Sequence, residues 1–146
     1  MHLGSLCFTL LNRGKTVRIF LADDLAKVRS ALRLLLEQEP GLCVVGEAAE
    51  AEELLTQIKA TRPDLMLLDW ELPGLSLANS VDSGKHLLSA LHAYCPDLRV
   101  IALSGQLEAR PAALAAGADA FVSKGDPPER LLATLRTIGL KYENAE

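Results

Sequence analysis

Leu65-Met66-Leu67-Leu68 runs without interruption into Asp69, and Trp70-Glu71-Leu72-Pro73-Gly74 follows. A short continuous apolar run closed by turn residues reads as a strand buried on both faces. That reading restricts the fold. A strand with no solvent face needs paired neighbours and cover above and below, which a parallel sheet with helices on each side provides. It also leaves a carboxylate at the strand end, where burial without a partner is costly and where open α/β sheets bind ligands. What joins Asp69 there decides what the chain does.

The rest of the chain alternates in the same sense. Val17 to Ala22 reads as a first strand, ending at Asp23-Asp24, and Val28, Ala31, Leu32, Leu35 and Leu36 then recur at helical spacing up to Pro40-Gly41. Cys43 to Gly46 reads as a second strand, and Ala51, Leu54, Leu55 and Ile58 mark one face of a helix stopped near Arg62-Pro63. After the strand ending at Asp69 comes a polar stretch, Leu75 to Ser83, longer than α/β connections usually are. Leu87, Leu88, Leu91 and Tyr94 predict the apolar face of a third helix, closed by Pro96. Arg99 to Leu103 predicts a fourth strand ending at Ser104-Gly105. An Ala-rich, weakly anchored helix over Ala109 to Ala116 ends at Gly117. Ala120 to Val122 predicts a fifth strand ending at Ser123-Lys124, and Pro127-Pro128 open a last helix with Leu131, Leu132, Leu135 and Ile138 as its stripe. Five βα units imply a parallel sheet with right-handed crossovers.

Size and charge bound the alternatives. The chain has 146 residues, enough for one domain with a substantial core. A net charge of −4 argues against a nucleic-acid-binding surface, which is usually basic. No apolar run reaches the roughly 18 residues of a membrane span, and the apolar patch Leu6 to Leu11 lacks the basic lead-in of a signal peptide. Cys7, Cys43 and Cys95 are odd in number with no C-x-x-C pair, and read as free thiols in a reducing compartment. The expected location is the cytoplasm. The expected organisation is an N-terminal extension over 1–16, one domain over 17–140 and a polar tail over 141–146.

The strand ends carry the chemistry. In a parallel sheet Asp23-Asp24, Asp69, Ser104 and Lys124 lie along one edge. Each alone has a plainer use: Asp23 or Asp24 as a helix cap, Ser104 as a turn residue, Lys124 as a solvated charge. Together they are complementary. Clustered carboxylates repel unless a cation joins them, and oxygen ligands on an open face suit Mg²⁺, which recruits phosphate oxygens. An ammonium and a hydroxyl suit the remaining oxygens of a phosphoryl group, and an aspartate can carry that group covalently.

With these residues in view, the chain resembles a receiver domain of the two-component response regulators. The likeness runs from Val17 to Ile138 and rests on Ile19-Phe20-Leu21-Ala22-Asp23-Asp24, Leu67-Leu68-Asp69, Pro73-Gly74, Ala102-Leu103-Ser104, Ala116-Gly117-Ala118-Asp119 and Phe121-Val122-Ser123-Lys124. Val45-Gly46-Glu47-Ala48 and Lys124-Gly125-Asp126-Pro127-Pro128-Glu129 are similar to receivers that precede a helix-turn-helix. The resemblance implies a flavodoxin-like (βα)5 doubly wound sheet of strand order 2-1-3-4-5. It implies Asp69 as phosphoacceptor from a sensor histidine kinase. It also implies a Mg²⁺ site of Asp24, Asp69 and the backbone carbonyl of Glu71, with Asp23 acting through water. Ser104 and Lys124 would bind the phosphoryl group, Phe121 would be the switch aromatic, and Glu71 and Gln106 would tune the phosphate's lifetime. Signalling would pass through the helix 4–strand 5–helix 5 face to an output protein or a DNA-binding domain, with a homodimer forming on phosphorylation.

Three features depart from the family pattern. Gly125 stands where many members have proline after the lysine, Leu72 replaces a more usual methionine, and the stretch before Gly84 is long. Four functions are thus in competition: a phosphoacceptor receiver, the receiver part of a DNA-binding regulator, a phosphate-independent binding module, and an aspartyl phosphohydrolase. The last lacks an acid immediately after Asp69, where Trp70 stands. The expectation is a signalling domain rather than a turnover enzyme, with no membrane or direct nucleic-acid contact.

Overall fold

The computed structural model describes residues 16–75 and 83–138. The expectations for the N-terminal extension, Cys7, the interior of the 75–83 stretch and the polar tail lie outside the described residues. β1 (Val17–Ala22), β2 (Leu42–Ala48), β3 (Leu65–Asp69), β4 (Arg99–Ser104) and β5 (Ala120–Ser123) form one parallel sheet in the order β2-β1-β3-β4-β5. Between them run α1 (Ala26–Glu37), α2 (Ala51–Thr61), α3 (Ser83–Tyr94) and α4 (Arg110–Ala116), the last preceded by a 3₁₀ turn at Leu107–Ala109; α5 (Pro128–Thr137) follows β5. This is the flavodoxin-like receiver arrangement expected.

Strand alternation decides which helix covers which face. Ile19, Leu21, Leu65, Leu67, Ile101, Leu103 and Val122 meet Leu36 of α1 and Leu131 and Leu135 of α5. Phe20, Ala22, Met66, Leu68, Val100, Ala102 and Phe121 meet Leu54 and Ile58 of α2, Leu88 and Leu91 of α3, and Ala113 of α4. All five residues of β3 are buried, as an uninterrupted apolar run requires. α4 contributes only Ala113 to the buried set, while Leu107 and Leu114 are exposed. Its Ala-rich sequence therefore gives a loosely held helix, which Gly117 ends at φ 117°.

Three expectations change. Tyr94 is exposed, and the Lys59 ammonium lies 4.4 Å over its ring, so α2 and α3 meet there by a cation–π contact instead of core packing. Neither Asp23 nor Asp24 caps α1. The cap is Leu25, with no side-chain hydrogen bond, because the aspartates are drawn to the sheet edge. Cys43 is disulfide-bonded, against the expectation of a free thiol, while Cys95 is free and buried.

The β1–β2 ladder carries one irregularity. Ile19 pairs with Val44 but Phe20 with Gly46, so Val45 is an extra residue on β2. A Cβ at Gly46 would stand 2.6 Å from the Phe20 ring, which is wholly buried and cannot retreat. Gly46→Ala is expected to destabilise the fold by about 2 kcal/mol, measured by urea denaturation. An unchanged midpoint would mean that the ring does not constrain this position.

Candidate functional site

The strand order reverses at β1, whose chain leaves to β2 on one side while β3 pairs on the other. The crevice outside the carboxyl ends of β1 and β3 is where such sheets bind ligands. Asp23 directly follows β1 and Asp69 ends β3, and both are 1% exposed. The Lys124 ammonium bridges them, 2.9 Å from Asp23 Oδ2 and 3.2 Å from Asp69 Oδ1. Lys124 reaches this point because its backbone N–H donates to Ser104 O at 2.8 Å, continuing the β4–β5 ladder past the end of β5. Ser104, wholly buried, closes the fourth side at the end of β4.

Asp69 is held locally as well. The Glu71 N–H donates to its Oδ1 at 3.0 Å, an Asx-type turn that starts the Pro73-Gly74 bend. Burial pushes the Asp69 carboxyl up. The Glu71 N–H opposes this, the Asp23 charge adds to it, the Lys124 charge opposes it, and the net direction is upward from 3.8. For Lys124, burial works against the charge, but the hydrogen bond to Asp23 and the charges of Asp69 and Asp23 outweigh it, so the ammonium is held above its usual value. The lysine is thus a fixed cation under ordinary conditions.

The acidic group fits a hard divalent ion. Carboxylate oxygens of Asp23, Asp24 and Asp69 lie within 4.8 Å of one another. Asp23 Oδ1 accepts from Leu25 N–H at 2.9 Å, while its buried Oδ2 meets the Lys124 ammonium at 2.9 Å and has no further hydrogen bond among the described residues. Three carboxylates against one ammonium leave two negative charges, which a divalent cation balances. Asp24, exposed, faces the open side where an ion keeps its waters.

Two features were not visible in the sequence. Ser104 Oγ donates to Glu71 Oε2 at 2.7 Å and accepts from Gln106 N–H at 2.9 Å. Glu71 and Gln106 are thereby both in contact with the hydroxyl expected to hydrogen-bond the phosphoryl group, and Glu71 engages it by its carboxylate. The second feature is a polar clamp beside Asp23. Arg29 donates to Asp23 O at 2.6 Å and to Glu47 Oε1 at 2.8 Å, and Arg33 donates to Glu47 Oε2 at 2.6 Å. The i, i+4 spacing of the arginines on α1 signals one shared face, but nothing local signals that Glu47 of β2 lies opposite them.

The Glu47 clamp has a pH signature. Burial raises the Glu47 carboxyl, but hydrogen bonds from Arg33 and Arg29 and their charges outweigh it, leaving it below 4.5. A depressed carboxylate contributes stability that is present above its unfolded value and lost as pH falls through the folded one. Glu47→Gln is expected to cost about 1 kcal/mol at pH 7, and the gap to wild type should close as pH falls below 4.5. Urea melts across that range test it; a pH-independent gap would assign the loss to packing.

Phe121 is 9% exposed and belongs to the core over α3 and α4. Trp70 packs flush on α3, where a Cβ at Gly84 would lie 2.6 Å from the indole. Among the described residues there is no cis peptide, so the bond from Lys124 to Gly125 is trans. Among those residues no helix is long and apolar enough to cross a membrane.

Comparison with known proteins agrees with this geometry. The family model described as the response regulator receiver domain matches residues 19–136. A two-component response regulator of the LuxR family from Aurantimonas sp. SI85-9A1 superposes with a TM-score of 0.70 at 31% identity, covering 85% of both chains. A response regulator from Burkholderia pseudomallei, solved with a phosphorylated aspartic acid, a calcium ion and citrate, gives 0.66 at 27% identity over 83% of this chain and 67% of that one. The DNA-binding transcriptional activator DevR/DosR of Mycobacterium tuberculosis is 45% identical over 53 residues, 36% of this chain and 24% of its own length. Two protein-glutamate methylesterases/protein-glutamine glutaminases, from Methanosarcina barkeri and Cereibacter sphaeroides, match over 15% and 19% of theirs. The chain therefore spans well under two thirds of the length of these curated relatives.

Proposed function

The chain belongs to the response-regulator receiver family of two-component signalling, and from that premise we propose that Asp69 accepts a phosphoryl group from a sensor histidine kinase. The observation that carries this reading is the Lys124 ammonium bridging Asp69 and Asp23 beside the buried Ser104 hydroxyl. The phosphorylated aspartic acid and calcium ion of the Burkholderia relative support it. Asp69 Oδ1 is held by Glu71 N–H and Lys124, and Oδ2 is the attacking oxygen. Its lone pair forms the new P–O bond while the P–N bond of a phosphohistidine breaks, its electron pair returning to the imidazole nitrogen. Mg²⁺, held by Asp24 and Asp69 with the Glu71 carbonyl and, through water, Asp23, would neutralise the charge that gathers there. Lys124 pairs with the phosphoryl group and Ser104 donates to it.

The response runs through α4, β5 and α5. α4 is tied to the core by Ala113 alone among its buried residues, so moving it sacrifices little packing, and exposed Leu107 and Leu114 give that face apolar surface for a partner. Ser104 and Phe121 lie on the adjoining strands β4 and β5, so a shift at Ser104 is felt by the ring. The partner is an output protein or a DNA-binding domain of the kind DevR/DosR carries, and phosphorylation promotes a homodimer through this face. The working compartment is the cytoplasm, and the chain signals instead of turning over substrate.

A small-molecule phosphodonor with Mg²⁺ is expected to add one phosphate by intact mass, and Mg²⁺ alone to change the emission of Trp70, which adjoins Asp69. No added phosphate from the donor or a functional cognate kinase would defeat the phosphoacceptor reading. An unchanged Trp70 signal together with no calorimetric Mg²⁺ binding would favour the phosphate-independent binding module.

A further inference from the structure

The residue that holds Ser104 has no place in the phosphoryl-binding set. Ser104 Oγ carries one hydrogen. Gln106 N–H occupies an acceptor position of that oxygen at 2.9 Å, and the hydrogen has two acceptors in reach: Glu71 Oε2 at 2.7 Å, the length of a charge-assisted bond, and Gln106 O, more distant at 3.2 Å. Ser104 is wholly buried, with the Glu71 carboxylate against its hydroxyl. The backbone of Glu71 is meanwhile fixed beside the phosphoacceptor by its N–H to Asp69 Oδ1 at 3.0 Å.

Resting on the phosphoacceptor reading of Asp69, we infer that Glu71 is a positioning residue whose carboxylate stands in for the phosphoryl group at the Ser104 hydroxyl and must leave when that group arrives. One hydrogen cannot serve both acceptors. A phosphoryl group also brings roughly 1.5 to 2 negative charges, so the two anions repel across a buried donor. Glu71 is exposed, and its carboxylate is released into solvent with little burial to forfeit. Through this contact Glu71, two places beyond Asp69, competes with the phosphoryl group for a donor on the next strand.

The test is a double-mutant cycle on the full chain, with Mg²⁺-dependent binding of beryllofluoride, a phosphoryl mimic, read by calorimetry. Glu71→Ala is expected to bind about tenfold tighter than wild type. Glu71→Gln, which keeps an acceptor without the charge, is expected between the two. In a Ser104→Ala background the gain from Glu71→Ala is expected to vanish. A gain that survives without the hydroxyl would be charge repulsion alone and would overturn the inference, as would wild-type binding with no gain in Glu71→Ala. Absence of binding in wild type and every variant would instead bring down the phosphoacceptor reading beneath it.

Discussion

Asp69→Asn is expected to abolish phosphate incorporation and, in the absence of Mg²⁺, to raise the stability of the chain. The first effect follows from the chemistry. An amide oxygen, its lone pair delocalised toward nitrogen, does not displace a phosphoryl group. The second follows from the environment. Burial and the neighbouring Asp23 charge push the Asp69 carboxyl up despite the Glu71 N–H and Lys124, so its ionised form is held against a cost. Asparagine keeps an acceptor for the Glu71 N–H and removes that cost, a gain of about 1 kcal/mol. Because the folded value lies above 3.8, the wild-type penalty is present above that folded value and is relieved as pH falls toward 3.8. The variant's advantage should shrink over the same interval. Intact mass after phosphodonor treatment and urea denaturation in EDTA read the two effects. Phosphate on Asp69→Asn would place the acceptor elsewhere, and a less stable variant in EDTA would mean that the Lys124 contact dominates the carboxylate's energetics.

Lys124→Met has the opposite signature. It leaves Asp23 and Asp69 buried side by side with no cation. Removing one partner of a buried charge group typically costs ~3 kcal/mol, and most of that loss is expected in Mg²⁺-free buffer. Mg²⁺ should restore much of it, since a ligand that binds only the folded state stabilises it by mass action, and the vacated charge makes the site more negative. Phosphate incorporation is expected to fall about 100-fold even with Mg²⁺ present, because the ammonium no longer meets the charge that develops on the phosphoryl oxygens. Denaturation curves with EDTA and with Mg²⁺, beside phosphorylation time courses, separate these effects. Equal stability of Lys124→Met and wild type in EDTA would show that the two carboxylates need no partner.

Most of the fold and the corners of the site are legible in the chain itself. The run Leu65–Leu68 reads as a strand covered on both faces, which the burial of the whole of β3 matches, and the alternation of Ile19, Phe20 and Leu21 assigns their side chains to opposite layers. Once the sheet is parallel, Asp23, Asp69, Ser104 and Lys124 must share an edge, because each follows or ends a strand running the same way. These are consequences of two periods, 2 and 3.6, and of chain direction.

What the tertiary structure decided is how those side chains divide one another's hydrogen bonds and charges. Nothing in the sequence says that Lys124 binds Asp23 as closely as Asp69, that Arg29 and Arg33 converge on Glu47, or that Tyr94 turns outward to Lys59. The Ser104–Glu71 bond is the clearest case. Its partners are 33 residues apart, and each, taken locally, has an ordinary role at a strand end or in a turn. Periodicity assigns a residue to a face. Which of several neighbours across strands a side chain finally meets depends on sheet twist, ladder register and competition for a limited set of donors, and those exist only after the chain has folded.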